Sequence, residues 1–163
     1  MDNPDITRWM ELALDEAERA MEGGEIPVAA LLVAGDDELG RHWTSVSRMG
    51  TLAAHAELLC VLNAENQLWT PARPLRIITT LEPCLMCLGA AMQVGVDEIY
   101  FGMRATPDGA ISNFGHLLAD HASPKVTGGI EEGRSVELMR RLLSEHADHP
   151  SAAYVDEMLK AYA

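Results

Sequence analysis

Two cysteines separated by two residues follow an apolar run in the middle of the chain. Cys84 and Cys87 lie in the stretch TLEPCLMC, between a predicted strand and a predicted helix. Thiols at this spacing occur in redox pairs, in structural zinc sites and in catalytic zinc sites. Three cysteines in 163 residues are too few for a disulfide framework, which favours a metal or catalytic role. The pair alone leaves these alternatives open.

A second pair, His55 and Glu57 in the stretch AHAEL, separates the alternatives. A redox pair has no use for a histidine and a glutamate at this spacing. A structural zinc site needs four protein ligands, and the one spare cysteine, Cys60, points away from His55 on the predicted helix and is expected to be a small buried residue. His55, Cys84 and Cys87 therefore predict a catalytic zinc site, which takes three protein ligands and keeps a position for water.

Glu57 is the predicted proton carrier of this site. It lies two residues from His55, so the two side chains do not share a helix face and Glu57 is a poor fellow ligand. Because zinc lowers the pKa of its water toward about 7, a carboxylate beside the metal can accept the water proton and later deliver it to a leaving group. The predicted reaction is hydrolytic removal of an amine from a ring carbon, with release of ammonia.

Strands that alternate with helices must position these groups. The predicted helices span residues 5–22, 53–64, 83–94, 131–146 and 152–162, and the predicted strands span 26–34, 39–46, 75–81, 97–103 and 126–127. Residues 104–115 are rich in turn formers and predict a loop. This alternation predicts an α/β fold with helices on both faces of a five-stranded mixed sheet, whose first two strands form an antiparallel hairpin. The length suits a single domain over residues 1–163.

The net charge of −13 bears on the choice of partner. Residues 1–37 carry ten acidic residues against two arginines, whereas a protein that binds a phosphate backbone usually has a basic patch. Charge therefore favours a small-molecule substrate, although basic residues in the middle of the chain leave room for a local patch. No apolar run approaches the roughly 20 residues of a membrane span, and no signal peptide is evident, so a cytoplasmic location is expected.

The two motifs together resemble the signature of the cytidine deaminase-like superfamily of zinc deaminases. The runs GGEIPVAALLV, AHAELL, TTLEPCLMCLGAAM and EIYFGM are similar to the branch that contains tRNA adenosine deaminases and guanine deaminases. This resemblance covers residues 10–143. It implies a three-layer α/β/α sandwich, a Zn²⁺ cofactor, and a homodimer with the active site near the subunit interface.

The chain departs from the tRNA adenosine deaminases at four places. Thr44 aligns with an asparagine that holds the substrate in those enzymes, and Thr51-Leu52 replaces Asp-Pro. Ala105 replaces an acidic residue near the RNA sugar, and the C-terminal region is not basic. Together with the net charge, these departures favour a free nucleobase of guanine or cytosine type, an s-triazine or a nucleoside as substrate, and argue against a nucleic-acid partner. The alternative is a tRNA deaminase that converts the wobble adenosine to inosine.

Five residues are candidate substrate contacts. Thr44 keeps a hydroxyl at the asparagine position, and Val28 lies in the first predicted strand. Trp43 and Phe114 can stack on a ring, and the alternative for each is a place in the core. Tyr154 belongs to a C-terminal helical segment, residues 148–163, which resembles the segment that closes the pocket of guanine deaminases. The alternative for that segment is a helix packed on the surface.

Overall fold

The structure is a computed structural model that describes residues 4–69, 72–118 and 124–163. Helices and strands alternate along most of the chain, as the sequence predicts. The helices are α1 (Pro4–Glu22), α2 (Val46–Met49), α3 (Ala56–Asn63), α4 (Leu85–Gln93), α5 (Ala110–Leu118), α6 (Glu132–Glu145) and α7 (Ala152–Leu159). The strands are β1 (Ala29–Ala34), β2 (Asp37–Trp43), β3 (Leu75–Leu81), β4 (Glu98–Met103) and β5 (Lys125–Gly128).

Within the described residues, five strands form one mixed sheet in the order β2-β1-β3-β4-β5. β1 pairs antiparallel with β2 and with β3, whereas β3, β4 and β5 run parallel. Every residue of β1 is buried, which is typical of a strand covered on both faces. The predicted hairpin and the predicted mixed sheet are both confirmed.

Helices cover both faces of this sheet, which gives three layers. α1 and α6 pack against each other and against the sheet, while α3 contacts α4 and the strands β1, β2 and β3. On α1, the apolar side chains recur with the helical period, and Met10, Ala13 and Ala17 are fully buried. Cys60 of α3 is also fully buried, and its thiol donates to the carbonyl oxygen of Ala30 at 3.1 Å, so it is the small core residue that the sequence predicts.

The helix α5 differs from the sequence-based expectation. The turn formers of residues 104–115 predict a loop, whereas α5 begins at Ala110. The N–H of Ala110 donates to the carbonyl oxygen of Pro83 at 2.9 Å, and the N–H of Ser112 donates to the carboxylate of Glu82 at 2.6 Å. Partners from another part of the chain therefore satisfy the N–H groups with which the helix begins, and local propensity does not reveal them.

Because β3 and β4 run parallel, the connections that follow them both begin at the same edge of the sheet. Leu81, the last residue of β3, pairs with Met103, the last residue of β4. The residues that follow β3 begin α4, and those that follow β4 lead to α5. In an α/β sheet, this carboxyl edge is the usual place for a binding site. No helix within the described residues combines the length and the apolar character that a membrane span requires.

Candidate active site

The three predicted metal ligands meet where α3 and α4 begin. His55 and Cys84 are the N-cap residues of these helices and have extended backbones, and Cys87 lies in the first turn of α4. Both helices start later than the sequence predicts, so Pro83 and His55 lie outside them. The Nδ1 atom of His55 is 3.5 Å from the Sγ of Cys84 and 3.6 Å from the Sγ of Cys87.

This spacing fits a tetrahedral zinc ion. Typical Zn–S and Zn–N bonds at a tetrahedral angle place the sulfur and nitrogen atoms about 3.6 Å apart. All three ligand atoms lie within 4.8 Å of one another, and one imidazole with two thiols is a donor set that zinc prefers. The hydrogen bond between the two thiols lowers the pKa of Cys84 to about 4 and raises the pKa of Cys87, so one thiol of the pair ionises readily and a metal must displace the proton of the other. His55, Cys84 and Cys87 can therefore hold a zinc ion.

Glu57 lies beside this cluster, in the first turn of α3. Its carboxyl group is buried, and burial raises its pKa. The hydroxyl of Thr79 lies 3.3 Å from Oε1 of Glu57 and 3.2 Å from the carbonyl oxygen of Leu81. This hydroxyl can donate to the ionised carboxylate, or donate to Leu81 and accept a proton from the neutral acid. The surroundings therefore accommodate both protonation states of Glu57, as a group that takes up and returns a proton requires.

A cavity of about 430 Å³ opens beside the cluster. His55, Glu57 and Cys84 form part of its wall, and so do two of the predicted substrate contacts, Val28 and Thr44. Its volume lies within the range of small-molecule sites. The cavity is therefore the candidate substrate pocket.

Thr44 has less freedom to bind a substrate than its sequence position suggests. Its side chain is only 4% exposed, and its hydroxyl donates to the carbonyl oxygen of Ala54 at 3.2 Å. Its N–H donates to the carbonyl oxygen of Val28 at 2.9 Å. Only the acceptor side of the hydroxyl remains for a ligand, so the residue mainly anchors the pocket wall.

The structure does not place Trp43 or Phe114 in the wall of this cavity. Trp43 is half-buried and packs against the hydrophobic core at the end of β2. Phe114 is half-buried on α5, the helix that the sequence does not predict. The predicted stacking of these two rings on a substrate therefore has no support from this pocket.

Tyr154 of α7 does reach the cavity, together with Pro150 and Ser151. Its hydroxyl donates to Oδ1 of Asp108 at 2.7 Å, and burial raises the pKa of this phenol. The bond connects the C-terminal segment to the loop that follows β4. Residues 148–163 thus contribute to the wall, and their predicted role as a cap over the active site stays a prediction.

Glu82 is a buried carboxylate in the wall that sequence reasoning does not identify. It is 2% exposed and accepts hydrogen bonds from the N–H of Ala105 at 3.1 Å and from both the N–H and the hydroxyl of Ser112 at 2.6 Å. Glu82 thereby fixes the loop that carries Asp108.

Glu25 is a second such carboxylate. It is 3% exposed, lines the cavity, and accepts hydrogen bonds from the N–H groups of Ser47 and Arg48. The signal in the sequence is an acidic residue directly beside an apolar run, in GGEIPVAA for Glu25 and in TTLEPC for Glu82.

Comparison with known proteins assigns the family. The model of the cytidine and deoxycytidylate deaminase zinc-binding region matches residues 4–103. The chain belongs to this family. It is 31% identical over 143 residues to a tRNA-specific adenosine deaminase of Agrobacterium fabrum, which covers 85% of this chain and 94% of that protein.

Two further similarities concern proteins that act on tRNA. The chain is 36% identical over 137 residues to a tRNA(Ile)-lysidine synthase of Deinococcus radiodurans; the match covers 82% of this chain, which spans only 24% of that protein's length. A structure solved in a study of A-to-I editing by tRNA:A34 deaminases superposes with a TM-score of 0.73 at 31% identity, covering 81% of this chain and 99% of that one.

These findings confirm the predicted fold, the Zn²⁺ cofactor and the hydrolytic deaminase activity on a C–N bond. They also show that two predictions are wrong: the free heterocycle or nucleoside as substrate, and the expectation that a nucleic-acid partner is unlikely. The predicted homodimer and the predicted cytoplasmic location stay predictions.

The error about the substrate has a physical cause. A net charge sums the whole chain, whereas binding depends on the charges that face the ligand. Seven of the twelve basic residues form ion pairs with carboxylates in the described structure. Arg48, exposed beside the pocket wall, has no such ion pair within the described residues. The net charge of the whole sequence does not show which basic residues are in ion pairs and which, like Arg48, are not.

Proposed function

We propose that the protein is a zinc-dependent tRNA deaminase that converts adenosine to inosine at the wobble position, with water consumed and ammonia released. The observation that carries the proposal is the match to a tRNA-specific adenosine deaminase over 94% of that protein's length. The likeness to the structure from the study of tRNA:A34 deaminases supports it, at 31% identity. Arg48 directly follows the pocket-lining Ser47 and is exposed, and its side chain donates only to the hydroxyl of Ser45 within the described residues, so it is a cation available for a phosphate group.

In this proposal, His55, Cys84 and Cys87 hold the zinc ion. Zinc at such a site lowers the pKa of water from 15.7 to about 7 and so supplies a nucleophile at neutral pH. Glu57 would accept the first proton of this water and deliver it to a ring nitrogen of adenine. It would then take the second proton from the oxygen now bonded to the ring carbon and pass it to the amine, which leaves as ammonia when the C–N bond breaks. The Thr79 hydroxyl reorients between Glu57 and Leu81 as the carboxyl group gains and loses the proton.

The pocket suits a base that has left its stack. A deaminase can reach its target carbon only when the base is extruded, and a base in a single-stranded loop costs little to unstack. The cavity of about 430 Å³ offers the apolar side chains of Ile26, Val28 and Leu52 to the ring and its sugar. Ser47 and Asp108 supply polar groups at the same wall. A wobble base in an anticodon loop is thus a fitting occupant.

The test uses two anticodon stem-loops that differ only at the wobble position. The zinc-loaded protein is incubated with a stem-loop that carries adenosine there and, as a control, with one that carries guanosine there. Nucleoside analysis and an ammonia assay measure the products. We expect inosine at the wobble position alone, with one ammonia for each inosine. A protein with one zinc ion per chain that forms no inosine in the first stem-loop would overturn the proposal.

A further inference from the structure

We propose that Glu25 is a positioning residue that sets the substrate-facing wall of the pocket through the backbone N–H groups of Ser47 and Arg48. As far as it concerns a substrate, this inference rests on the proposed function. Glu25 lies between α1 and β1, is 3% exposed and lines the cavity without touching the ligand cluster by any hydrogen bond in the described structure. A buried carboxylate is costly unless donors satisfy it.

Two backbone N–H groups satisfy this carboxylate. Oε1 accepts from the N–H of Arg48 at 2.7 Å, and Oε2 accepts from the N–H of Ser47 at 3.1 Å. Such bonds to an ionised acceptor are stronger than bonds between neutral groups. The described residues include no basic side chain in a salt bridge with Glu25, so these two N–H groups are its partners.

The bonds replace a cap that α2 lacks. This helix has only four residues, and its N-cap residue Ser45 makes no side-chain capping bond. The first N–H groups of a helix have no partner within it. Glu25 supplies both acceptors from 22 and 23 positions upstream. A turn this short, which packing does not bury, depends on such support.

The first residues of the segment 44–48 are held by other parts of the chain. Its later residues are held by Glu25, besides the bonds that Arg48 and Met49 donate to Ser45 within the turn. The N–H of Thr44 donates to Val28 at 2.9 Å, and that of Ser45 donates to Ala54 at 2.9 Å. Val46 and Ser47, which line the pocket, come after these anchors. Loss of the carboxylate should therefore loosen the part of the wall that faces a substrate and leave the zinc ligands in place, since His55 is held by α3 and the other two ligands by α4.

The test compares Glu25→Gln and Glu25→Ala with Glu22→Gln, an exposed glutamate at the end of α1 that serves as the control. Zinc content, kcat and KM on the wobble-adenosine stem-loop, and hydrogen exchange at the amides of Ser47 and Arg48 are measured on each protein. We expect zinc content to be unchanged and KM to rise about tenfold in Glu25→Ala, with kcat within about threefold of the wild type. Glu25→Gln keeps one acceptor and should show a smaller rise.

Hydrogen exchange decides the positioning role without any substrate. Both amides should lose protection in Glu25→Ala, in part in Glu25→Gln, and not in the control. Unchanged protection in Glu25→Ala would overturn the inference, and so would a fall in kcat with an unchanged KM. If the wild type forms no inosine, the proposed function fails, while the exchange result still decides the role of Glu25. If Glu25→Ala does not fold, Glu25→Gln carries the test alone.

Discussion

Replacement of Glu82 by glutamine removes one of two acceptor oxygens that hold the loop after β4. The side chain is isosteric, so the change leaves packing intact and alters only hydrogen bonding and charge. In the structure, Oε1 accepts from the N–H of Ser112, and Oε2 accepts from the N–H of Ala105 and the hydroxyl of Ser112. The carboxylate is 2% exposed, so water cannot replace a lost partner without a rearrangement.

The size of the effect follows from where the amide nitrogen of glutamine lies. In the Oε2 position it would oppose two donors, and in the Oε1 position it would oppose only the N–H of Ser112. The second placement is the milder one. It loses one charge-assisted bond and sets the amide nitrogen against the N–H of Ser112, two donors facing each other, which costs about 2–3 kcal/mol of the free energy of unfolding. For a chain of this length, such a loss lowers the Tm by about 4–12 °C.

The assay is thermal unfolding of the zinc-loaded protein, with zinc content measured on the same sample. Glu137→Gln on α6 is the matched control, because this glutamate is exposed and forms no ion pair in the described structure. We expect the control to unfold at the wild-type temperature. If Glu82→Gln unfolds within 1 °C or so of the control, then the carboxylate does not hold the loop as the hydrogen bonds indicate, and the reasoning is refuted.

Three further predictions concern zinc removal, pH and salt. Thiol labelling of the native zinc-loaded protein should modify no cysteine. Removal of zinc by a chelator should make Cys84, which is only partly buried, reactive before Cys60, which is fully buried and whose pKa burial raises; modification of Cys60 as fast as Cys84 without unfolding would contradict this. Asp97 accepts a hydrogen bond from the N–H of Leu75 at 2.7 Å, which lowers its pKa, so its stabilising effect is present at neutral pH and is lost as the pH falls through its lowered folded value. Urea unfolding of Asp97→Asn should therefore show a deficit at pH 7 that shrinks below about pH 4, and a deficit that is equal at both pH values would count against it. Arg48→Ala should weaken RNA binding and make the slope of log Kd against log salt shallower by about 0.7, the value for one phosphate contact with a single strand; an unchanged slope would show that Arg48 meets no phosphate.

The zinc cluster could be predicted from sequence because its geometry is largely local. Cys84 and Cys87 are three residues apart where a helix begins, and His55 also lies where a helix begins, so their side chains need only one tertiary contact to meet. The strands β3 and β4 could also be predicted from sequence, since each is a short apolar run with clear ends. In these cases, the local pattern and the final structure require the same residue types.

Other parts of the site depend on contacts that are distant in the sequence. Glu25 accepts hydrogen bonds from N–H groups of α2 that lie more than 20 positions away in the sequence. Glu82 does the same for α5 from 30 positions away. Their surroundings supply hydrogen bonds that a short turn or a turn-rich segment lacks by itself. Local sequence alone therefore predicts a strand end where α2 forms and a loop where α5 forms. The hydrogen bonds from the distant glutamates stabilise a helix at both places.

The substrate was the feature that the sequence predicted least well. At Thr44, the sequence indicates that an amide contact with the substrate is missing. In the structure, the Thr44 hydroxyl donates to Ala54 and so stabilises the pocket wall. The net charge suggested a small ligand, yet it includes the many acidic residues of α1 that pair with basic residues or face solvent. Specificity depends on the shape of a wall made from several segments, and no single residue type in the sequence encodes that shape.

The most direct test of the central claim compares Glu57→Gln with the wild type on the wobble-adenosine stem-loop, with zinc content and inosine formation measured on the same samples. Glutamine keeps the size of the side chain but cannot carry the proton. We predict one zinc ion per chain in both proteins and a rate of inosine formation that falls about 10²–10⁴-fold in the variant. Inosine formation at the wild-type rate in Glu57→Gln, or a zinc-loaded wild type that forms none, would contradict the claim that this cluster deaminates adenosine in tRNA.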